Sequence, residues 1–399
     1  MSSAQRSSLL LAFAIIAVAL NLRPVLASIS PLLDMIQAAT HMTNTTASLL
    51  TTLPIFVMGV FAYLGKFLRP LMGEKQGIAL GLFLIALACL ARFQFVNTAG
   101  LLLTAVIAGV GIAIIQALAP SIIKRLFSSH ANRVMGLYTT GIMGGAAFTA
   151  ASVVKLESST NLSSALAIWA IPAFITLLAW LMASDKTEKT EKKPTTETHQ
   201  HSPQTNQPSF WKQRRAWELM IFFGISTGAY TVVLAWLPPF YTALGMEAGK
   251  AGLLLSGISM VEVIAGLTVS AFTHRFQDQR ILLIGVLVCL LLGLLCLIFA
   301  PLQLLYPALI LLGIGLGSIF PLSLILTLSH SKEPARAGDL AAFVQGGGYI
   351  IASLLPLFAG IVRDIFADLT YAWGLMLAGT LLLIVMSWRF SETSYREGL

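Results

Sequence analysis

Stretches of about 20 mostly apolar residues recur along the whole chain, separated by short segments rich in charged and turn-forming residues. A backbone surrounded by hydrocarbon must satisfy its N–H and C=O groups internally, so segments of this kind fold as membrane-spanning helices. The composition agrees, because 57% of the residues are hydrophobic and only 11% are charged, whereas soluble domains carry roughly 25%. The sequence therefore predicts an all-α membrane protein.

Twelve spanning helices are predicted, in two sets of six. Between the sets lies a segment rich in Lys, Glu, Thr, Gln and Pro that is too polar to bury itself. We therefore predict an N-terminal six-helix bundle over 1–183, a cytoplasmic disordered linker over 184–215, a C-terminal six-helix bundle over 216–390 and a cytoplasmic tail over 391–399. The predicted helices lie near 8–35, 45–65, 77–96, 99–123, 134–155, 162–183, 216–240, 249–273, 281–300, 303–329, 338–361 and 370–390.

The Lys and Arg residues predict the orientation. If the N-terminus is cytoplasmic, 20 of the 25 are assigned to the cytoplasmic side and four to the other side, which leaves only Arg23 unassigned. Cytoplasmic loops of membrane proteins carry such an excess, so both termini are expected to be cytoplasmic. The same bias accounts for the net charge of +8, and we expect no nucleic-acid partner.

The two halves share an ordered pattern of glycine and proline. Helix four carries Gly109, Gly111 and Pro120, and helix ten carries Gly313, Gly315, Gly317 and Pro321; a glycine-rich helix follows each of them. Parallel repeats of six helices are typical of transporters that rock two bundles about a central site. Glycines allow the close helix contacts that sliding interfaces in lipid require, although plain packing would use them equally well.

The most unusual feature of the first span is Asn21-Leu22-Arg23-Pro24, within the apolar run from Leu9 to Leu33. An isolated arginine at mid-depth costs somewhere between about 2.5 and 17 kcal/mol, and intramembrane ionisable residues usually mark a pathway. Pro24 leaves the Leu20 carbonyl without a backbone donor, so the helix should bend beside the charge. Arg23 either receives the negative end of a small substrate or is a structural arginine tied to carbonyls and an acid.

Glu262 is the second charge near mid-depth, in predicted helix eight. An unpaired carboxylate there would take up a proton, so Glu262 is a candidate for proton coupling; the alternative is a fixed structural partner for Arg23 or for backbone groups. Arg92 lies near the end of helix three and is expected to extend to the membrane surface. The candidate substrate-binding residues are Arg23, Asn21, Gln116, Tyr138, Tyr230, Trp236, Gln345 and Tyr349, although any polar one could serve helix packing instead.

Catalysis is not indicated. The chain has no phosphate-binding loop, no His-Glu-x-x-His motif and no histidine inside a predicted span, and its three cysteines lack metal-ligand spacing. We therefore expect neither enzymatic activity nor a cofactor or metal. The expected partners are a small-molecule solute, the lipid bilayer and a proton or counter-ion, and we expect a monomer.

Twelve spans in two parallel sets of six, joined by a basic loop, resemble the major facilitator superfamily. Where members usually carry an aspartate four residues after a glycine, this chain has Arg69 after Gly65, and the common arginine of helix four is missing. The superfamily's usual gating salt bridge and proton-coupling scheme are therefore not carried over. Local patterns resemble the cyanate permease and 2-nitroimidazole transporter branch: Asn21-Leu22-Arg23-Pro24 with Pro31-Leu32-Leu33, Leu50 to Pro54, Gly111 to Lys124, Tyr230 with Trp236-Leu237-Pro238, and Gln345 with Gly348-Tyr349.

The resemblance implies a secondary transporter of a small polar or anionic solute, cyanate-like, in a bacterial inner membrane. A proton-coupled exporter of nitroimidazole-like or other antimicrobial compounds stays open, because a nitro group also presents two acceptor oxygens to a guanidinium. A membrane receptor that binds a ligand without moving it is the hypothesis from a different class.

Overall fold

The computed structural model describes residues 3–71, 73–127, 131–188, 209–275, 278–331 and 333–390. These residues form α-helices joined by short loops and 3₁₀ turns. The helices are α1 (Ser3–Leu20), α2 (Pro24–Ala27), α3 (Leu33–Thr40), α4 (Asn44–Leu71), α5 (Glu74–Ala91), α6 (Thr98–Leu126), α7 (Ala131–Ser159), α8 (Leu162–Ala167), α9 (Ala170–Glu188), α10 (Arg214–Ala243), α11 (Ala248–Phe272), α12 (Gln279–Phe299), α13 (Leu305–Ser329), α14 (Pro334–Phe366) and α15 (Thr370–Trp388).

Twelve helical segments in the described ranges are long and apolar enough to cross a membrane, as the sequence predicted. Ten of them are single helices. The first, Leu10–Thr40, consists of α1, α2 and α3, and the sixth, Leu162–Ala183, consists of α8 and the first part of α9. The all-α fold with twelve spans is thereby confirmed.

The first span is broken rather than merely bent at Arg23. α1 ends at Leu20, and the next two N–H groups make tight bonds to carbonyls only three residues back. A new short helix then starts at Pro24, whose missing N–H and fixed φ suit the first position of a helix. The Leu20 carbonyl, which loses its donor to Pro24, lies against Gly145 of α7, where a side chain would not fit. A small residue on α7 thus makes room for the Leu20 carbonyl at the break.

Equivalent glycines pack in equivalent ways in the two halves. Gly109 of α6 lies against α4 and Gly111 against α5, while Gly313 of α13 lies against α11 and Gly315 against α12. At each of these positions an added Cβ would come within 3.0 Å of the neighbouring helix. The sequence repeat therefore corresponds to a repeated three-helix packing arrangement, with the fourth or tenth span held between the two spans before it.

The predicted linker, 184–215, is partly structured. α9 continues to Glu188, a 3₁₀ turn covers Phe210–Lys212, and α10 begins at Arg214, so disorder was wrong for these ends. The Trp211 ring stacks on Tyr63 of α4 with the centroids 6.1 Å apart, and it meets Phe343 of α14 edge to face at 5.1 Å. Residues 189–208 and the predicted tail, 391–399, lie outside the described residues. The division into two six-helix domains stays a prediction.

Hydrogen bonds join the two halves at the predicted external face. The Asp364 carboxylate, near the end of α14, accepts from the backbone N–H groups of Asn44 and Thr45 at 2.9 and 2.8 Å, and from both of their side chains. Because Asn44 is the first residue of α4, Asp364 caps a helix of the opposite half. Nearby, the Thr242 hydroxyl of α10 donates to Asp34 of α3 at 2.6 Å. These contacts hold the two halves together at this face.

Candidate functional site

Arg23 lies in the break between α1 and α2 and is buried, with 7% of its surface exposed. Its guanidinium carbon lies 5.6 Å from the centroid of the Tyr230 ring on α10, a cation–π contact between the two halves. Within the described residues the guanidinium makes no hydrogen bond and no ion pair, and its buried Nε has no acceptor. A buried guanidinium with unused donors is a site for a ligand that brings acceptor oxygens or nitrogens.

Three tyrosines lie near the Arg23 guanidinium. Tyr138 of α7, Tyr230 of α10 and Tyr349 of α14 all lie within electrostatic range of Arg23. The hydroxyls of Tyr138 and Tyr230 are buried and have no hydrogen-bond partner among the described residues. Tyr230 as a whole is partly exposed. The site therefore offers hydroxyl donors from both halves beside a single guanidinium.

Glu262 is the acidic member of the group. It is almost fully buried on α11, it interacts electrostatically with Arg23, and its Oε2 has no partner in the described structure. The two side chains are not within ion-pair distance of each other. Gly317 of α13 lies against the Glu262 backbone and leaves no room for a side chain, so this part of α11 is held closely by its neighbour. The Glu262 carboxylate and the Arg23 guanidinium thus interact electrostatically without forming an ion pair.

Gln116 of α6 and Gln345 of α14 are half-buried, and their amides make no hydrogen bonds with described residues. Gln345 precedes Tyr349 by four residues, so both side chains lie on the same face of α14. Their amides are therefore available to a ligand.

Two predicted site residues have other partners. The Asn21 amide donates to the Ala17 carbonyl and to Thr176 of α9, both at 2.9 Å, so both of its N–H donors are used. Trp236 is fully buried, and its indole N–H donates to the Pro356 carbonyl at 3.0 Å. In this structure the donors of both side chains bond to protein groups, and the assignment of the two residues to the site stays a prediction.

One further polar residue was not identified from the sequence, and the predicted location of another was wrong. Thr227 lies one helical turn before Tyr230 on α10, and its buried hydroxyl has no partner in the described structure. That spacing was the available signal. Arg92 was expected to reach the membrane surface, but it is fully buried. It donates from Nη1 to the Val25 carbonyl at 2.8 Å and from Nε to the Thr104 hydroxyl at 3.2 Å.

Residues 9–356, most of the chain, match the sequence model of the Major Facilitator Superfamily. The chain belongs to the Major Facilitator Superfamily. Among its relatives in Escherichia coli K12, the cyanate transport protein CynX is 37% identical over 96% of this chain and 97% of that protein. The 2-nitroimidazole transporter of the same organism is 27% identical over 98% and 97%. Both relatives are transport proteins.

Solved structures of the superfamily share the fold. The crystal structure of a D-xylose-proton symporter superposes with a TM-score of 0.74 over the full length of both chains, at 13% sequence identity. This likeness concerns the architecture alone. Together with the sequence relatives it identifies the chain as a secondary transporter of the Major Facilitator Superfamily that spans the membrane many times.

Proposed function

We propose that this transporter carries a small monovalent anion of the cyanate class, with Arg23 as the residue that binds the negative charge. The observation that carries the proposal is a buried guanidinium, between the two halves, that makes no hydrogen bond or ion pair with described residues. Burial of a charge without a partner is costly, and an anionic ligand would offset that cost whenever it is bound. The likeness to the cyanate transport protein supports the same solute class.

The balance of buried charge favours a single negative charge on the solute. Among the described Lys, Arg, Asp and Glu side chains, those that are almost completely buried are Arg23, Arg92 and Glu262, which makes an excess of one base over acids. A monovalent anion that pairs with Arg23 would oppose that excess of positive charge. A cationic solute would add to it, in a region where water does little to screen charge.

The neighbouring polar groups would orient the anion. Tyr138 and Gln116 belong to the first half, and Tyr230, Gln345 and Tyr349 belong to the second. The unpartnered hydroxyls of Tyr138 and Tyr230, one from each half, would allow one solute at Arg23 to contact both halves at once. A solute bound in this way would stabilise a closed intermediate, which is what rocking bundles need for alternating access.

Glu262 would couple the anion to a proton. In the empty site its carboxylate is attracted by Arg23 across the interface. When an anion binds Arg23, its negative charge offsets that attraction, and an almost fully buried carboxylate then takes up a proton. Anion and proton would cross together, so the net buried charge would be the same in the empty and the loaded transporter.

The Arg23→Lys variant tests the anchor. Lysine keeps the charge but loses the planar fork of donors, so uptake of labelled cyanate into proteoliposomes should fall at least about tenfold, since hydrogen bonds to charged groups contribute about 1.5–3 kcal/mol. Arg214→Lys is the matched control, because that side chain is 81% exposed at the start of α10. Wild-type uptake by Arg23→Lys at normal expression would rule out the anchor role.

The Glu262→Gln variant tests coupling separately. Without a titratable group, the variant should exchange labelled anion between the two sides yet fail to accumulate it in response to a pH gradient. Its exchange rate should also lose the pH dependence seen in the wild type. A pH profile identical to that of the wild type would remove Glu262 from coupling.

A second candidate solute is a neutral nitro-heterocycle, moved outward. The three tyrosines around Arg23 offer aromatic surfaces on which a flat ring could stack, and the 2-nitroimidazole transporter is a relative over nearly the whole chain. A thermal-shift comparison of small anions and nitro-heterocycles on purified protein distinguishes the two solutes. Counterflow of the stabilising solute into proteoliposomes separates transport from a receptor that only binds.

We further propose a bacterial inner-membrane location, a monomer, no catalytic activity and two cytoplasmic termini. The excess of Lys and Arg on the side of the linker supports that orientation. Reporter fusions at each terminus that are active only in the cytoplasm test it. An inactive fusion at either end of a stably expressed protein would reverse the assignment.

A further inference from the structure

Arg92 is a buried positive charge that the proposed anion site does not use. It follows the last residue of α5, it is completely buried, and no described carboxylate lies within ion-pair distance of it. Nε donates to Thr104 of α6, Nη1 donates to the Val25 carbonyl, and the buried Nη2 has no partner among described residues. An uncompensated buried cation is costly, and burial of a large polar side chain is not needed merely to fill space.

The Val25 carbonyl belongs to α2, the four-residue helix that begins directly after Arg23. The Arg23 carbonyl accepts from Leu26 and Ala27, and the Pro24 carbonyl accepts from Ser28. No backbone N–H in the described chain donates to Val25, because the Ile29 N–H bonds to Leu26 instead. The guanidinium of Arg92 therefore donates the hydrogen bond that the Val25 carbonyl does not receive from the backbone.

A helix of one turn is not stable by itself, because nucleation costs more than its few hydrogen bonds return. The position of α2 is consequently set by its tertiary contacts, and the bond from Arg92 is a charge-assisted one at 2.8 Å. Val25 is only two residues from Arg23. Any shift of this carbonyl therefore moves the backbone from which the Arg23 side chain extends toward Tyr230.

We propose that Arg92 is a positioning residue for the anion site: it fixes α2 through the Val25 carbonyl and thereby aims the Arg23 guanidinium between the two halves. This inference rests on the proposed function of Arg23. Arg92 does not contact the solute; it acts through the backbone. Its Nε bond to Thr104 holds the guanidinium in the plane needed to reach Val25.

Three substitutions separate the hydrogen bond from the charge. Arg92→Met keeps much of the length but cannot donate, Arg92→Gln donates without a charge, and Arg92→Lys donates with a charge. In counterflow of labelled cyanate, Arg92→Met should raise KM about tenfold with little change in maximal rate per folded molecule. Arg92→Gln and Arg92→Lys should each restore most of the affinity.

Several outcomes would overturn the inference. If neither Arg92→Gln nor Arg92→Lys recovers affinity relative to Arg92→Met, a hydrogen-bond donor at this position does not set KM and the positioning role is refuted. If KM stays at the wild-type value while only the yield of folded protein falls, Arg92 serves stability alone. Should Arg92→Met fail to fold, Thr104→Val removes the second acceptor in a milder way, and it must still raise KM severalfold for the inference to stand.

Arg23→Lys is measured in parallel, so that the two proposals fail separately. An effect of Arg23→Lys without any effect of the Arg92 variants refutes the positioning role and leaves the anion site intact. No effect of Arg23→Lys refutes the anion site itself.

Discussion

Asp364 is the residue whose removal should change the conformational equilibrium most directly. Its carboxylate receives four hydrogen bonds from Asn44 and Thr45, the first two residues of α4 in the opposite half. Rocking the halves apart at this face must break all four at once. We therefore expect Asp364→Ala to favour the state that is open at the predicted external face.

The size of the effect follows from the geometry. An acidic cap at a helix N-terminus contributes about 0.5–2 kcal/mol, and the two side-chain bonds add little because Asp364 is exposed to solvent. A loss of about 1–2 kcal/mol from the closed state raises the open population roughly 5- to 30-fold. An Asp364→Asn variant, which keeps one acceptor oxygen of the two, should fall between these limits.

Ser48 provides the probe for this equilibrium. It is 2% exposed and lies against Gly360 of α14, so a cysteine placed there reacts with a maleimide only when the halves separate. In protein lacking its three native cysteines, the labelling rate of Ser48→Cys should rise about 5- to 30-fold on adding Asp364→Ala, when opening is fast relative to labelling. Asp368→Ala is the control, since Asp368 caps Thr370 within its own half. An unchanged rate, or an equal rise with Asp368→Ala, would refute the reasoning.

Two further predictions concern helix packing and the pH dependence of stability. Gly145→Ala should destabilise the protein by about 1–3 kcal/mol, because the new Cβ meets the Leu20 carbonyl, whereas Gly144→Ala places its Cβ 3.7 Å from the Leu20 side chain and should change little. Equal melting temperatures for the two variants would contradict this. Burial lowers the pKa of His330, just after α13, from 6.5 to about 4, so the unfolded chain binds the proton first as the pH falls. The wild type should therefore lose stability between about pH 6.5 and 4, and His330→Gln should lose less; identical slopes in thermal unfolding would argue against it.

The twelve spans could be predicted because a bilayer imposes a minimum length and forbids unpaired backbone groups, and both constraints are visible in the chain itself. Pro24 and the glycine repeat also predicted where the first helix fails and where helices approach closely. The linker was harder, since composition alone cannot show that Trp211 finds an aromatic surface on Tyr63 and Phe343.

The candidate site was only partly predictable. Arg23 and Glu262 could be recognised because a charge inside an apolar span is costly wherever its neighbours lie. Polar residues without a charge gave no such signal, so the sequence could not show that the donors of Asn21 and Trp236 bond to neighbouring helices.

What the sequence determined by itself was the number of spans and the presence of charge within them, because each depends on the transfer of one segment from water to lipid. Which side chains lie near Arg23 was decided by the tertiary structure alone. Arg92 shows the difference. Its position near a helix end predicted contact with water, but in the fold its guanidinium donates to the Val25 carbonyl, which has no backbone N–H donor. Pairings of this kind depend on helix rotation and depth, and those are fixed only when the helices pack.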